Sequence, residues 1–498
     1  MDKSHYGFDV FALVLGMLLP LAFAPLNIYP LSIIIPSLLF WIIYDSPKKL
    51  AFRRGYLFGF GLFAVGASWI YIAISDFGFT SSPVAFLLTL TFVAFLGLFP
   101  ALQSLLGVVL ARGLSFGAAA FVFALCWLLF EWIRGWFMTG FPWLNLGYSH
   151  INTPLIGFAP VLGVYGLSLI SLFISASLCS LWPVKKIVTP LAAGVVLGLF
   201  VTGWSLTSFQ WTEKTGEPIK VAIVQASLPQ ITKWDPEQIR HRMDVYAQMS
   251  EPLWGKYEII MWPENAMTIL WQDAPLLYKD KLQDRAVETN TALVIGVPYG
   301  DVDTKYYSSI IVLGTKPAVY HKRHLVPFGE YVPLPEFAKK LAGFFQLPMS
   351  GFSRGDKVQD GLEVAGQKMA PSICYEDAFG EELIDFLPEA TVLINGSNNA
   401  WYGKSWAAHQ HLQIARMRAI ETQRQSIRST TTGISALIDE YGQLMQSTNL
   451  HEQTILTGTV QPRQGATPYV RWGNWPVLIF MLIVLLALLV RVVQLRAR

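Results

Sequence analysis

Long apolar runs at the two ends of the chain are the feature that most constrains its fold. Runs of about 20 predominantly apolar residues are long enough to cross a bilayer as a helix. About eight such runs occur, at residues 10–26, 28–44, 56–74, 84–111, 116–130, 163–182, 187–206 and 475–490. Only 14% of the 498 residues are charged, whereas roughly a quarter are charged in ordinary soluble domains. We therefore predict a polytopic α-helical membrane bundle.

The placement of basic residues predicts how these spans are oriented. The short outer connections, around Asp76 and over residues 134–153, contain a single basic residue, Arg134. If the N-terminus is cytoplasmic, the cytoplasmic segments hold all of the following: Lys3, Lys48, Lys49, Arg53, Arg54, Arg112, Lys185, Lys186, Arg491, Arg496 and Arg498. Cytoplasmic loops of membrane proteins carry an excess of Lys and Arg. Both termini are therefore expected in the cytoplasm.

The segment between the seventh and eighth runs has an ordinary globular composition and is expected outside the cytoplasm. Helical stretches at residues 237–250 and 406–425 alternate with strand-like runs, which predicts an α/β domain. The strand-like runs are residues 220–225, 259–262, 293–297, 309–313, 372–375 and 392–395. The predicted domains are 1–206 with seven spans, 207–474 as the globular domain, and 475–498 as the last span with a basic tail.

Composition excludes several classes of function. A net charge of +3 is too balanced for a nucleic-acid-binding protein. Cys126 and Cys179 lie in apolar runs, and no second cysteine stands at ligand spacing from Cys374, which excludes a zinc site of paired cysteines. His409 and His411 are poorly spaced for metal binding from one helix face, and no phosphate-binding glycine loop occurs. We therefore predict neither a metal nor a cofactor.

Three groups with reactive side chains each follow a strand-like run: Glu264, Lys322 and Cys374. A thiol becomes a nucleophile as the thiolate, so it needs a base, and a carboxylate can serve. A neighbouring lysine would stabilise the thiolate and the oxyanion of a tetrahedral intermediate. Taken singly, each has a simpler explanation, because such a Glu is usually a cap, such a Lys is usually solvated, and a lone Cys usually packs.

Taken together, the three groups resemble the Glu-Lys-Cys triad of the nitrilase superfamily in chain order and in local sequence. Residues 320–333, joined to the apolar runs, resemble more specifically the apolipoprotein N-acyltransferase family of bacterial envelopes. The resemblance covers nearly the whole chain, with further matching motifs at Leu21-Ala-Phe-Ala-Pro, Ser68-Trp-Ile-Tyr, Thr139-Gly-Phe-Pro-Trp-Leu and Ala159-Pro-Val-Leu-Gly-Val-Tyr-Gly-Leu.

The resemblance implies an αββα sandwich and a role for each matching position. Glu264 would be the general base, Lys322 the oxyanion support and Cys374 the nucleophile. Glu330 matches a second active-site carboxylate, although a loop carboxylate paired with Arg323 or Lys322 is the alternative. Further positions that match supporting or substrate-contacting residues are Tyr375, Glu376, Trp234 and Trp401.

The implied reaction is a two-stage acyl transfer at the outer face of the bacterial inner membrane. Cys374 would take a fatty acyl group from a membrane phospholipid, at the glycerol sn-1 position, and release a lysophospholipid. The α-amine of an S-diacylglyceryl-cysteine at the N-terminus of an apolipoprotein would then accept the acyl group. The partners expected are thus a phospholipid, a diacylglyceryl apolipoprotein and the lipid bilayer, with the catalytic domain in the periplasm.

Several residues are candidates for contact with lipid. Trp472 and Trp475 would anchor the entrance of the last span. Phe344 and Phe345, with Leu347 and Met349, lie in an apolar loop that would form a lid dipping into the membrane or would simply cover the domain core. Arg134 would meet a phospholipid phosphate or simply an interfacial partner.

The chain departs from the family pattern at three places, and two rival functions stay open. It reads Asn398-Asn-Ala-Trp-Tyr-Gly where the family usually has an Asp second, Thr431-Thr-Gly in place of an Asn-Asn-Gly-like turn, and Thr268 in place of a proline. One rival is a membrane-anchored amidase in which water or ammonia meets the thioester. The other is a multipass transporter with an extracytoplasmic binding domain, although charged residues are few within the spans.

Overall fold

The chain folds into two compact units. The computed structural model describes residues 3–78, 80–180, 188–233, 235–331 and 351–497. One unit comprises Met1–Tyr71, Pro83–Phe209 and Arg471–Arg498, and the other comprises Ile72–Ser82 and Gln210–Val470. The segment Ile72–Ser82, which the sequence places at an outer connection between spans, thus groups with the globular unit.

The first unit is helical. Its helices are α1 Lys3–Leu18, α2 Leu31–Ile43, α3 Lys48–Gly66, α4 Ile70–Asp76 (which runs into the second unit), α5 Ser82–Leu110, α6 Phe116–Trp136, α7 Ala159–Ser180, α8 Val188–Thr207 and the C-terminal helix Trp475–Ala497. Between α6 and α7 the chain forms 3-10 turns at Phe137–Thr139, Leu146–His150 and Pro154–Phe158. Glycines bring α1 and α3 together, because a Cβ on Gly16 would meet the Phe58 carbonyl oxygen at 2.0 Å.

Four helical stretches in the described residues are long and apolar enough to cross a membrane. They are Ser82–Leu110, Phe116–Thr139, Pro154–Cys179 and Trp475–Leu495, and the bent pair Lys48–Gly66 with Ile70–Asp76 makes a fifth. Three shorter apolar helices, Tyr6–Ala22, Leu31–Ile43 and Leu191–Thr207, coincide with the remaining predicted spans. The chain is therefore a membrane protein with four or five spans by length and composition, and the larger predicted number stays a prediction.

The second unit is built around two six-stranded sheets. The strands are β1 Thr212–Lys214, β2 Ile219–Gln225, β3 Ile259–Met261, β4 Ala292–Gly300, β5 Tyr306–Leu313, β6 Ala318–His321, β7 Leu362–Val364, β8 Gln367–Ile373, β9 Val392–Ser397, β10 Ser426–Thr430, β11 Ala436–Ile438, β12 Leu444–Ser447, β13 Thr454–Val460 and β14 Arg463–Gly465. One sheet has the order β13-β2-β3-β4-β5-β6 and the other β12-β11-β10-β9-β8-β7, while β1 pairs with β14.

Helices cover the outer faces of both sheets. In β2, Val221 and Ile223 enter the core between the sheets, whereas Ala222 and Val224 pack with helix residues on the other face, as the two-residue period of a strand requires. The helices of this unit are α9 Pro236–Ser250, α10 Leu276–Glu288, α11 Gly380–Leu383, α12 Ala407–Thr422 and α13 Pro468–Trp472. With α9 and α10 on the first sheet and α12 on the second, the unit is an αββα sandwich, as predicted.

Candidate active site

Glu264 lies just beyond the end of β3, in a loop pressed against β4. A Cβ on Gly296 would lie 2.5 Å from the Glu264 Cα, so only glycine permits this approach. The Ala266 N–H donates to the Gly296 carbonyl at 2.9 Å and fixes the loop. The Glu264 carboxylate is buried, and its Oε2 accepts the backbone N–H of Asn398 at 2.8 Å.

Lys322 follows β6 directly and has no exposed surface. Its Nζ lies 3.2 Å from Glu264 Oε1 and 2.7 Å from Glu330 Oε1. Burial by itself lowers the pKa of Lys322, but the two carboxylates outweigh it and hold that pKa well above its ordinary value. The lysine is therefore a fixed positive charge in this cluster.

Glu330 is held at the site from both sides of its carboxylate. Oε1 accepts from Lys322, and Oε2 accepts the Val326 N–H at 2.7 Å. Burial raises the pKa of Glu330, which the charge of Lys322 partly offsets and the charge of Glu264 reinforces. The sequence offered Arg323 or Lys322 as the partner of a loop carboxylate at Glu330. The structure pairs Glu330 with Lys322, and this ion pair places Glu330 in the cluster.

Cys374 begins a tight turn at the end of β8. Its φ is +51°, a left-handed conformation that is strained for a residue with a Cβ. The strand thus ends one residue before the thiol, whereas the sequence pattern extended it to residue 375. Burial, and then the charge of Glu264, raise the pKa of Cys374. The resting group is therefore a thiol, which requires a base before it can attack.

A buried polar network lies under the nucleophile. His411 Nε2 donates to the Cys374 carbonyl at 3.1 Å. Asp377 accepts from Arg428 at 2.6 Å, and from Ser372 Oγ and Asn395 Nδ2 at 2.8 Å each. Burial, then Arg428, lower the pKa of His411 well below its ordinary value, so it is neutral. His411 therefore supports the turn, and the described residues contain no cluster suited to a metal.

Glu376 ties the lysine loop to the cysteine turn. Its carboxylate accepts the backbone N–H groups of Arg323 at 2.6 Å, His324 at 3.0 Å and Ile373 at 2.7 Å, and the Tyr320 hydroxyl at 3.0 Å. Burial raises the pKa of Glu376 to about 7, against the opposing effect of Lys322. One carboxylate thus fixes the distance between the segments that carry Lys322 and Cys374.

Tyr375 follows the nucleophile directly in the chain, and Trp401 comes three residues after Asn398, whose N–H donates to Glu264. The Tyr375 ring packs edge-on against Phe379, with ring centroids 5.1 Å apart. The Trp401 ring packs edge-on against Phe77, with centroids 5.9 Å apart. Phe77 belongs to Ile72–Ser82, the segment that groups with the globular unit. Both rings have protein neighbours, and their predicted contact with substrate stays a prediction.

Arg134 lies in the helical unit and is buried. Its guanidinium donates to the carbonyls of Phe141, at 2.6 Å, and Trp143, and to Asn145 Oδ1 at 2.7 Å. These bonds fix the turn that follows α6. The predicted contact of Arg134 with a phospholipid phosphate or another interfacial partner stays a prediction. Three other predicted substrate-binding residues, Trp234, Phe344 and Phe345, lie outside the described residues, as do Leu347 and Met349.

The structure adds residues that sequence reasoning missed. Lys233 is buried and its Nζ lies 3.5 Å from the Glu264 carbonyl oxygen. Asn398 donates its N–H to Glu264, while its side chain bonds Gln230 and Thr431. The only signal for either was a position within a family-like motif. At the neighbouring departure, Asn399, neither side-chain polar atom has a hydrogen-bond partner among the described residues.

The sandwich, with a carboxylate, a lysine and a thiol gathered beyond β3, β6 and β8, defines a nitrilase-type catalytic domain. Residues 220–469 match the carbon-nitrogen hydrolase family, and residues 15–177 match the apolipoprotein N-acyltransferase N-terminal domain. The chain belongs to the apolipoprotein N-acyltransferase family.

Full-length relatives support that membership. The apolipoprotein N-acyltransferase of Coxiella burnetii is 39% identical over 96% of this chain and 99% of its own length. That of Methylococcus capsulatus is 39% identical over 93% of this chain and 92% of its own. That of Pseudomonas aeruginosa is 41% identical over 93% of this chain and 92% of its own.

Proposed function

We propose that this acyltransferase moves a fatty acyl group from a membrane phospholipid, through a thioester on Cys374, to the N-terminal α-amine of an S-diacylglyceryl-cysteine apolipoprotein. The observation that carries the proposal is the ammonium of Lys322, bonded to both Glu264 and Glu330 beside a buried thiol. Family membership favours this reaction over the amidase and transporter alternatives.

In the first stage, Glu264 takes the proton of the Cys374 thiol, and the sulfur attacks the ester carbonyl of the phospholipid. The oxyanion that develops is stabilised by Lys322, whose charge the two carboxylates maintain. Collapse of the tetrahedral intermediate breaks the ester C–O bond. Glu264 returns the proton to the leaving glycerol oxygen, so that a lysophospholipid departs and the acyl thioester remains.

In the second stage, the unprotonated α-amine of the acceptor attacks the thioester carbonyl. Lys322 again faces the oxyanion, and Glu264 takes a proton from the attacking nitrogen. The C–S bond breaks, Cys374 regains its proton, and the product carries an amide. One site thus serves both stages, which predicts ping-pong kinetics.

The acyl donor and acceptor are both lipids, so we propose that the catalytic domain works at the outer surface of the inner membrane. The proposed topology has eight spans with both termini in the cytoplasm, and domains at 1–206, 207–474 and 475–498. The distribution of Lys and Arg supports it. Trp472 and Trp475, with 57% and 63% of their surface exposed, suit an interfacial anchor before the last span.

The reaction is tested with purified protein in detergent, a phospholipid labelled in its sn-1 acyl chain, and a diacylglyceryl lipopeptide. We expect N-acylated peptide and lysophospholipid in equal amounts, and no product from the same peptide with an acetylated α-amine. Release of free fatty acid without peptide acylation would support the amidase alternative. Acylation from an added acyl thioester but not from phospholipid would overturn the proposed donor.

The sidedness is tested with introduced cysteines and a membrane-impermeant thiol reagent on spheroplasts. Val358→Cys reports on the catalytic domain, because Val358 is 88% exposed. Lys48→Cys, at the exposed first residue of α3, reports on the opposite side. The native cysteines are all buried and give a low background. We expect labelling of the first variant only, and labelling of Lys48→Cys alone would overturn the proposed orientation.

A further inference from the structure

Two lysines lie buried at the Glu264 side of the site, and only one of them is paired with carboxylates. Lys322 has carboxylate oxygens at 3.2 and 2.7 Å. Lys233 is only 3% exposed, yet the single hydrogen bond of its side chain among the described residues is the long one to the Glu264 main-chain carbonyl, at 3.5 Å. A buried ammonium without a carboxylate partner is costly, so such a lysine tends to release its proton.

The titratable and charged groups that face Lys233 come from three elements. They are Glu264 beyond β3, Cys374 beyond β8, and Arg242 on α9. Arg242 is fixed close to the Lys233 loop, because its Nη2 donates to the Pro229 carbonyl at 2.6 Å and to Thr232 Oγ1 at 3.1 Å. Burial has the largest effect and lowers the pKa of Lys233 to about 7. Glu264 and Cys374 oppose this shift, and Arg242 adds to it.

The second stage of the proposed reaction releases a proton that the triad alone does not absorb. The acceptor amine enters mainly as an ammonium, because α-amino groups have a pKa of about 8. An ammonium and a thioester give an amide, a thiol and one free proton. The nitrogen loses two protons in all, and the cysteine sulfur takes one of them back. Glu264 can carry only one at a time, so the first must go elsewhere.

We propose that Lys233 is a further catalytic residue, the base that takes the first proton from the acceptor ammonium. The inference rests on the proposed function. The neutral Lys233 amine accepts a proton from the α-ammonium, which becomes the attacking amine, and later loses that proton to solvent. Glu264 then carries the second proton from nitrogen to the Cys374 sulfur. The first stage needs no such base, because its thiol proton ends on the leaving glycerol oxygen.

The test separates the two stages in the full-length protein. Wild type, Lys233→Met, Lys233→Arg and the control Lys256→Met, at an exposed lysine, are each loaded with acyl groups from phospholipid and freed of donor. The thioester is then mixed with a diacylglyceryl lipopeptide or with hydroxylamine, whose nitrogen is mostly unprotonated at neutral pH. Thermal melting in detergent checks that each variant is folded.

We expect all four proteins to form the thioester, and both Lys233 variants to transfer it to the lipopeptide about tenfold more slowly at pH 7. Cleavage by hydroxylamine should be unchanged. The lipopeptide rate of the wild type should fall as pH drops through about 7, where Lys233 becomes protonated. In the variants this decline should move toward the pKa of the acceptor amine, about 8, so that raising the pH rescues them.

If the Lys233 variants were slowed equally with both acceptors, Lys233 would have a structural role and the inference would be overturned. An unchanged rate of transfer to the lipopeptide in these variants would also overturn it. A wild-type rate without an acidic limb near pH 7 would overturn it too, even if neither variant folds. A folded wild type that forms no thioester would instead refute the proposed function, and that outcome is seen in the loading step.

Discussion

Each unit of the molecule contains a buried cation, and their surroundings differ. In the helical unit, Arg134 donates hydrogen bonds to the carbonyls of Phe141 and Trp143 and to the Asn145 side chain. In the sandwich, Lys322 meets two carboxylates beside a thiol. The first arrangement fixes a turn of the backbone, whereas the second concentrates groups that can exchange protons. A buried charge therefore indicates chemistry only when its partners can react.

The buried carboxylates follow the same division. Glu131, in the helical unit, accepts from the Trp127 indole at 3.1 Å and from the Leu146 N–H at 2.9 Å. Glu264 accepts one backbone N–H and leaves its other oxygen to Lys322. Substitutions in the helical unit should thus change the amount of folded protein, and substitutions in the cluster should change the rate per folded molecule.

The largest effect is expected for Lys322→Met. The change removes the charge that faces the oxyanion and leaves Glu264 and Glu330 opposed without a cation, so turnover should fall by about 10² to 10³. The matched control is Lys316→Met, because Lys316 forms its ion pair with Glu363 at the exposed surface and such pairs contribute little. If the turnover of the folded protein fell by a similar factor in both variants, the comparison between the two units would fail.

A smaller effect is expected for Glu330→Gln. Lys322 would keep one carboxylate of its two, so its pKa would come down from its raised value. We expect turnover at pH 7 to fall by about tenfold to a hundredfold and the alkaline limb of the pH profile to move to lower pH. The profile should be measured beside Glu363→Gln, which removes a surface carboxylate. An alkaline limb that stays in place would show that Glu330 does not set the charge of Lys322.

Arg134→Met should affect stability rather than chemistry. Each carbonyl that loses its donor inside the helical unit costs about 1–3 kcal/mol, so the melting temperature in detergent should fall. The thioester yield per folded molecule should stay close to that of the wild type. A variant that melts normally but loses phospholipid-dependent thioester would instead assign Arg134 to the phosphate of the donor.

The smallest effect is expected in the pH dependence of stability. Burial raises the pKa of Glu376 from its ordinary 4.5 to about 7. Between these values the folded protein binds a proton that the unfolded chain has released, so the contribution of Glu376 to stability decreases as pH rises through this window. Glu376→Gln should therefore show a smaller loss of melting temperature between pH 5 and 7. An equal loss in both proteins would contradict the raised pKa.

Much of this organisation was predictable from local sequence. Short apolar, strand-like runs located β2 to β5 and β9, and three motifs located Glu264, Lys322 and Cys374. The strand β10 was missed because Ile427 is the only apolar residue in Ser426–Thr430, and polar residues of this strand are buried in a network around Arg428. The predicted span at residues 28–44 was longer than the helix there, Leu31–Ile43, because the apolar run includes the turn before the helix. The predicted span at residues 10–26 was displaced, because the helical stretch there, Tyr6–Ala22, begins and ends four residues earlier.

The parts of the site that the sequence did not reveal depend on tertiary burial. A lysine is usually solvated, so nothing local distinguishes Lys233 from a surface residue, and its partner is a main-chain carbonyl that any residue could supply. His411 appeared only as a poor metal ligand, since its bond to the Cys374 carbonyl joins positions 37 residues apart in the chain. Such roles become visible only when the fold brings the residues together.

The most direct test of the account is the intact mass of the purified protein after incubation with phospholipid alone. Wild type should gain the mass of one fatty acyl group, which hydroxylamine removes, and Cys374→Ala should gain none. An acyl adduct on Cys374→Ala, or a folded wild type that acquires no adduct, would contradict a thioester on Cys374.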